Sequence, residues 1–135
     1  MTQERNTELL RLRPAIQVNP EENPEHSAGY FQNATLRPIL KLQNALLLLI
    51  FRQYLQKSKG RFFQLTRRGQ LEFIANSIRS DLRLRNLLTG VVIGHFTEAE
   101  WAVFATQEQE LSRRIANLLI QRLSDQVEQF LPPEQ

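Results

Sequence analysis

The basic side chains between positions 52 and 85 are the residues of this sequence best suited to binding chemistry. This tract holds nine Arg or Lys residues against two acids, Glu72 and Asp81, so it carries +7 in a chain whose total is +3. Most of the basic residues are Arg, whose planar guanidinium group binds phosphate and carboxylate groups through two parallel hydrogen bonds. We therefore predict an anion-binding surface with six contact residues: Lys59, Arg61, Arg67, Arg68, Arg79 and Arg83.

Aromatic residues interrupt the first half of this tract. The segment 57–68 places Phe62 and Phe63 among basic residues on a connection that contains Gly60. Cationic side chains neutralise phosphates and aromatic rings stack on unpaired bases, so this composition suits single-stranded nucleic acid. The simpler interpretation buries both Phe side chains and leaves a solvated charged rim. We expect both Phe residues to be buried, and the role of the charges stays open.

The remaining charge of the chain offers a second kind of partner. Residues 1–51 are neutral overall, whereas residues 86–135 carry −4. Arg79 and Arg83 are four positions apart and so share one helical face. Acids of the final third could pair with them, within one chain or between copies: Glu98, Glu100, Glu108 and Glu110. We therefore expect a homo-oligomer, and an acidic protein surface is the alternative to nucleic acid as the external partner.

Residues for catalysis or metal binding are scarce. The chain has no Cys, which excludes thiolate metal sites and Cys nucleophiles, and its two histidines are His26 and His95. His95 and Glu98 could present an imidazole and a carboxylate together, but a solvent-exposed loop histidine is the simpler interpretation. No phosphate-binding Gly-rich loop, dinucleotide fingerprint or nucleophile elbow occurs. We predict no catalytic residue, no metal ligand and no cofactor, and therefore a non-enzymatic interaction module.

Helices are expected to position these side chains. The chain has five Gly, few aromatic residues and Leu as its main apolar residue, which favours helix over strand. Its 135 residues fit one domain. We predict an all-α, single-domain bundle of four or five helices over residues 33–131. An extended, Pro-containing arm over residues 1–32 precedes the bundle, because this part holds three of the six prolines and an acidic cluster.

Local signals indicate where the first helices lie. One helix is expected from about Asn33 to Lys57, with a proline tolerated in its opening turn. Thr66 is predicted to cap the second, and Ser80 or Asp81 a third, unless these two form one kinked helix. The second helix has an apolar stripe in the helical period: Leu71, Ile74, Ile78 and Leu82.

Two further signals concern the end of the chain. Thr97 and Glu100 match a capping box, which predicts with the flanking Phe96 and Trp101 that a helix begins at Thr97. Thr106 offers a second box for the last helix. That helix carries a long apolar stripe and ends before the Pro pair at 132–133: Leu111, Ile115, Leu118, Leu119, Leu123, Val127 and Phe130.

One apolar run bears on both the oligomeric state of the protein and its relation to a membrane. The run Ala45 to Phe51 is seven residues long, whereas a membrane-spanning helix needs about 20. The first residues lack the apolar core of a signal peptide, so we expect a soluble cytoplasmic protein without membrane contact. Leu46 to Phe51 is apolar on all sides of a helix, which predicts either burial in the centre of the bundle or contact with a second copy. Burial is the simpler interpretation.

Three blocks of this sequence resemble a group of short helical bacterial proteins that carry the name glyoxalase. The blocks are residues 31–44 (FQNATLRPILKLQN), 83–88 (RLRNLL) and 90–97 (GVVIGHFT). The resemblance implies isomerisation of a glutathione hemithioacetal on a divalent metal, or hydrolysis of the resulting thioester. A small metal-dependent lyase or isomerase is therefore the alternative function. The paired βαβββ modules of the isomerases and the Thr-His-x-His-x-Asp-His motif of the hydrolases are both absent here, so no catalytic residue transfers to this chain.

Overall fold

The computed structural model describes residues 2–15, 27–58 and 60–131, and these residues form helices and connections without a β-strand. The predicted all-α class is confirmed. Short 3-10 turns follow the third and the last helix, at Arg61–Gln64 and Val127–Phe130. The helices of the described residues are α1 (Thr2–Leu12), α2 (Ala28–Leu42), α3 (Asn44–Gln56), α4 (Arg67–Ser80), α5 (Leu82–Ile93), α6 (Glu98–Thr106) and α7 (Glu108–Asp125).

The prediction of an extended arm over residues 1–32 is wrong at both of its described ends. The first proline of the chain is Pro14, so no helix breaker interrupts residues 2–12, and these form α1. Residues 16–26 lie outside the described residues. At the other end α2 begins at Ala28, because the hydroxyl of Ser27 accepts a hydrogen bond from the N–H of Tyr30 and caps the helix. The bundle therefore starts five positions earlier than predicted and has six helices after α1.

The single helix predicted from about Asn33 to Lys57 is two helices, α2 and α3. Their axes are bent by 67° about Gln43. The amide of Asn44 exchanges hydrogen bonds of 2.9 and 2.8 Å with the amide of Gln126, and this exchange fastens the start of α3 to the end of α7. No Gly or Pro lies at the break, and this tertiary contact is made directly beside it.

Pro38 is accommodated inside α2 by a wider turn. In a regular helix the ring of a proline clashes with the carbonyl four positions earlier. Residues 32–36 form a π turn, in which the N–H of Arg37 bonds to the carbonyl of Gln32 five positions earlier. Pro38 follows this turn directly and is buried, so the helix continues towards the core.

The core is built from Leu, Ile, Val and Phe side chains of α2 to α7 and the two 3-10 turns. All seven residues of the apolar stripe predicted for the last helix are buried. Five of them lie on α7, whereas Val127 and Phe130 lie on the 3-10 turn that follows it, so the helix ends earlier than predicted. On α4, Ile74 and Ile78 are buried as predicted, whereas Leu71 and Leu82 are exposed. The break at Asp81 turns Leu82 out of the face that α4 presents to the core.

Three of the four predicted helix caps are confirmed. The hydroxyl of Thr66 accepts from the N–H of Gly69, and the carboxylate of Asp81 accepts from the N–H of Leu84. Both bonds of the capping box at Thr97 are formed. The cap predicted at Thr106 is wrong, because its hydroxyl donates to a carbonyl of the preceding turn and α7 begins one residue later without a side-chain cap.

The apolar run of α3 is buried on one face only. Leu47 and Phe51 are fully buried, as the simpler interpretation predicted, while Leu46 and Leu49 are 44% and 58% exposed. Within the described part of the chain, no individual helix has both the length and the apolar character needed to cross a bilayer. The bent pair α2 and α3 meets those two criteria only when the helices are taken together.

Candidate functional site

The first basic surface surrounds the connection between α3 and α4, and we call it the loop surface. Its described cationic residues are Lys57, Arg61, Arg67 and Arg68, all exposed, while the predicted contact Lys59 lies outside the described residues. Gly60 has a φ of 80°, a left-handed conformation that glycine adopts without strain. This turn directs the chain from α3 into the 3-10 turn and places Arg61 at its first position.

The two Phe residues of the loop surface have opposite environments. Phe62 is fully buried, as predicted, but Phe63 is 41% exposed, so the prediction for Phe63 is wrong. Their rings meet edge to face with centroids 5.6 Å apart. The buried ring therefore supports an exposed ring in a segment that has Arg61 before it and Arg67 and Arg68 after it in the sequence.

The charges of the loop surface are only weakly neutralised. Arg67 forms an ion pair of 2.6 Å with Glu128, whose pKa is lowered by this hydrogen bond, and Arg68 lies 3.4 Å from Glu72. All four side chains are more than half exposed, and water screens such pairs strongly. Arg61 makes no ion pair with any described residue. These cations stay available to an external anion.

The five predicted contact residues that the structure describes do not form one cluster. Arg67 and Arg79 lie twelve positions apart on α4, which corresponds to about 18 Å along a helix. Arg79 and Arg83 therefore lie at the far end of α4 from the loop surface. These two also diverge, because Arg79 faces a groove beside α7 while Arg83 lines a different depression with Tyr54.

The groove beside Arg79 is the second basic surface, and we call it the arginine groove. It has a volume of about 490 Å³ and lies between the end of α4, α5 and α7, where Arg79, Arg85 and Arg113 line it. Sequence analysis did not select Arg85 or Arg113. Arg113 belongs to the acidic final third of the chain, so only the packing of α7 against α4 and α5 brings it to the basic tract. The only sequence signal for Arg113 was its position on the polar face of the amphipathic α7 helix.

Two of the four acids predicted to neutralise Arg79 and Arg83 within the chain have other partners. Glu100 binds Arg13, and Glu110 binds Arg113 and Arg114. Glu108 lines the arginine groove, but neither Arg79 nor Arg83 forms an ion pair with it or with another described residue. Pairing of these arginines with a second copy stays a prediction.

A strap formed by residues 2–15 crosses the turn that leads into α6. Arg13 bonds to both carboxylate oxygens of Glu100 at 2.5 and 2.7 Å, and the two side chains are only 6% and 16% exposed. Arg13 also donates to the carbonyl of His95, and Arg5 donates to that of Phe96 at 2.9 Å. Although burial alone raises the pKa of Glu100, the hydrogen bonds from Arg13 and Thr97 lower it overall. Glu100 is therefore an anion that joins the strap to the start of α6.

His95 belongs to this turn and is not the solvent-exposed histidine that was expected. It is half-buried, and its Nδ1 is buried without a hydrogen-bond partner. Burial, followed by the nearby charges of Arg13 and Arg5, lowers the pKa of His95. Glu98 is exposed on the first turn of α6. Among the described residues, no three His, Asp or Glu side chains are grouped closely enough to hold a metal ion.

In comparisons with known proteins, no family model matches this chain. No curated protein and no solved structure matches it either. The two basic surfaces and the strap are therefore the features from which a function can be inferred.

Proposed function

We propose that this protein is a non-enzymatic helical module of the cytoplasm that binds single-stranded nucleic acid through its loop surface. The exposure of Phe63 is the observation that carries the proposal. An apolar ring at this position would be expected to follow Phe62 into the core, yet 41% of it faces solvent between Arg61 and the two arginines that open α4.

The chemistry of the loop surface favours an unpaired strand over other anions. Phosphates along the strand neutralise the guanidinium groups, while a base stacks on the ring of Phe63. An acidic protein surface offers carboxylates to Arg61 but no flat group that would cover the ring. In a duplex the base faces are already stacked on one another. A duplex would therefore contact the cationic side chains and leave the ring of Phe63 exposed to water.

Binding of a labelled single-stranded oligonucleotide, followed by fluorescence anisotropy between about 50 and 200 mM salt, tests the proposal. Each lost phosphate contact makes the slope of log K against log salt less steep by about 0.7. We therefore expect Arg61→Gln and Arg68→Gln each to make the slope shallower by that amount. Phe63→Leu removes the stacking surface, and we expect about 1–3 kcal/mol weaker binding with an unchanged slope.

Arg11→Gln is the matched control. Arg11 is an exposed arginine that is paired with Glu8, as Arg67 is paired with Glu128, but it lies on α1. We expect its substitution to leave oligonucleotide binding unchanged. Equal losses of oligonucleotide affinity in Arg11→Gln and Arg61→Gln would show that binding depends on the net charge of the protein and not on the loop surface. Absence of binding at the lowest salt, or binding only to a polyglutamate probe, would contradict the proposal.

We also propose that two copies of the chain associate through the outer face of α3. Leu46 and Leu49 lie one turn apart and are both about half exposed. A second copy would cover these side chains and bring Glu108 or Glu110, at the start of its α7, towards Arg79 and Arg83.

Among the described residues, the alternative of a small metal-dependent lyase or isomerase has only His95 as an imidazole. Its pKa is lowered partly by Arg13 and Arg5, and these two charges also oppose a metal cation at the same imidazole. Metal analysis of the purified protein tests this alternative, since a stoichiometric divalent metal that is lost in His95→Gln would favour it over the binding module.

A further inference from the structure

We infer that the arginine groove is a second anion site, which binds the phosphate groups of a small ligand of nucleotide size. The groove is separated from the loop surface by the length of α4, so it goes beyond the binding of a nucleic-acid strand. It would remain if the loop surface bound no strand at all.

The charges of the groove are arranged around its opening and are incompletely compensated. Arg79 forms no ion pair with a described residue. Arg85 donates to the main-chain carbonyl of Arg79 at 3.4 Å, which orients its guanidinium group without neutralising it. Glu110 holds Arg113 through both of its oxygens, at 2.6 and 2.7 Å, and compensates that charge in part. The one carboxylate in the lining itself is Glu108.

Three arginines line one groove, and only Arg113 has a carboxylate partner, so positive charge remains on Arg79 and Arg85. A phosphate group is a suitable ligand for this arrangement, because its oxygens accept paired hydrogen bonds from several guanidinium groups at once. Two of the three arginines are already held in place by other groups, so binding loses less side-chain entropy than on a flexible surface. The groove is therefore preorganised for phosphate.

The rest of the lining points to a small polar ligand. Asn86, Thr89, Ser112 and Asn117 contribute amide and hydroxyl groups, and Ala116 is the only apolar side chain of the lining. An apolar ligand would leave these groups without hydrogen bonds, which is costly. The volume of about 490 Å³ lies within the range of small-molecule sites, roughly 300–1,000 Å³. A phosphorylated sugar or nucleotide matches both the size and the polarity.

Calorimetric titration with inorganic pyrophosphate, ADP and adenosine at low salt tests the inference. We expect binding of pyrophosphate and ADP, and none of adenosine, because the phosphate groups supply the recognition. Each charge-assisted contact contributes enough that Arg79→Gln and Arg85→Gln should weaken pyrophosphate binding about tenfold or more. Arg11→Gln is the matched control, because Arg11 is an exposed arginine of α1 outside both basic surfaces, and it should leave pyrophosphate binding unchanged. Circular dichroism verifies that every variant is folded.

Two outcomes would overturn the inference. The first is no binding of pyrophosphate at millimolar concentration, and the second is an equal loss of pyrophosphate binding in Arg11→Gln and Arg79→Gln. If pyrophosphate does not bind and Arg79→Gln also loses oligonucleotide binding, the groove belongs to the path of a strand. Failure of the loop proposal is measured separately by Phe63→Leu, so the two results can be told apart.

Discussion

Replacing Glu100 with Gln should destabilise this protein more than any other single isosteric change in the strap region. Glu100 accepts hydrogen bonds from Arg13, from the hydroxyl of Thr35 at 3.2 Å and from the N–H of Thr97 at 2.8 Å. It thereby joins the strap, α2 and α6. Gln keeps the size of the side chain and can still cap the helix, but it removes the charge that faces the buried guanidinium group of Arg13.

The magnitude follows from the burial of the pair. Removing one partner of a buried ion pair costs about 3–5 kcal/mol, because the remaining charge stays buried without compensation. Arg13 is 6% exposed, so it cannot turn into water without releasing the strap. Because the Gln side chain can still cap α6, we expect the free energy of unfolding to fall by about 3 kcal/mol. This loss lowers the melting temperature of a domain of this size by about 10 °C.

Urea unfolding followed by circular dichroism measures this loss, with Glu98→Gln as the control. Glu98 is an exposed acid on the same first turn and forms no ion pair with a described residue, so its substitution should change stability by less than about 0.5 kcal/mol. The pKa of Glu100 is lowered in the folded state, so its contribution is complete above the ordinary carboxyl pKa and disappears as the pH falls through the folded value. The difference between the two proteins should therefore shrink in acid. Equal unfolding midpoints at neutral pH would refute the reasoning.

Two further predictions concern the cap and the assembly. Thr97→Ala removes the hydroxyl that accepts from the N–H of Glu100, so stability should fall by about 1 kcal/mol with helix content retained. An unchanged melting temperature would contradict the cap. Light scattering at micromolar concentration should give a dimer that Leu49→Gln weakens, because the substitution places a polar group in the covered face. A mass near 15.8 kDa that persists at tenfold higher concentration would exclude the dimer.

The sequence predicted those features that depend on neighbours along the chain. The caps at Thr66, Asp81 and Thr97 are bonds between residues three positions apart, and the α7 stripe repeats with the helical period. Such patterns are visible without knowing the fold. The cap expected at Thr106 failed because α6 continues through Thr106, so Gln107 takes the N-cap position of α7.

Features that depend on distant residues were not predictable in the same way. The bend at Gln43 lies beside the amide hydrogen bonds between Asn44 and Gln126, which are 82 positions apart. The arginine groove forms only when α7 brings Arg113 to Arg79, and no local signal connects them. Phe62 and Phe63 are adjacent and chemically identical, so only the direction of the 3-10 turn decides which ring is buried.

The strap also imposes an order on folding. Its contacts join Arg5 to Phe96 and Arg13 to His95, pairs separated by 91 and 82 positions. A helix of eleven residues is only marginally stable by itself in water. The stability of α1 therefore depends on its contacts with the turn before α6, which is synthesised much later. The capping box of α6 is local and can form before the strap arrives, whereas closing the long loop carries an entropic cost. The segment that is synthesised before the bundle is therefore the one that docks after it.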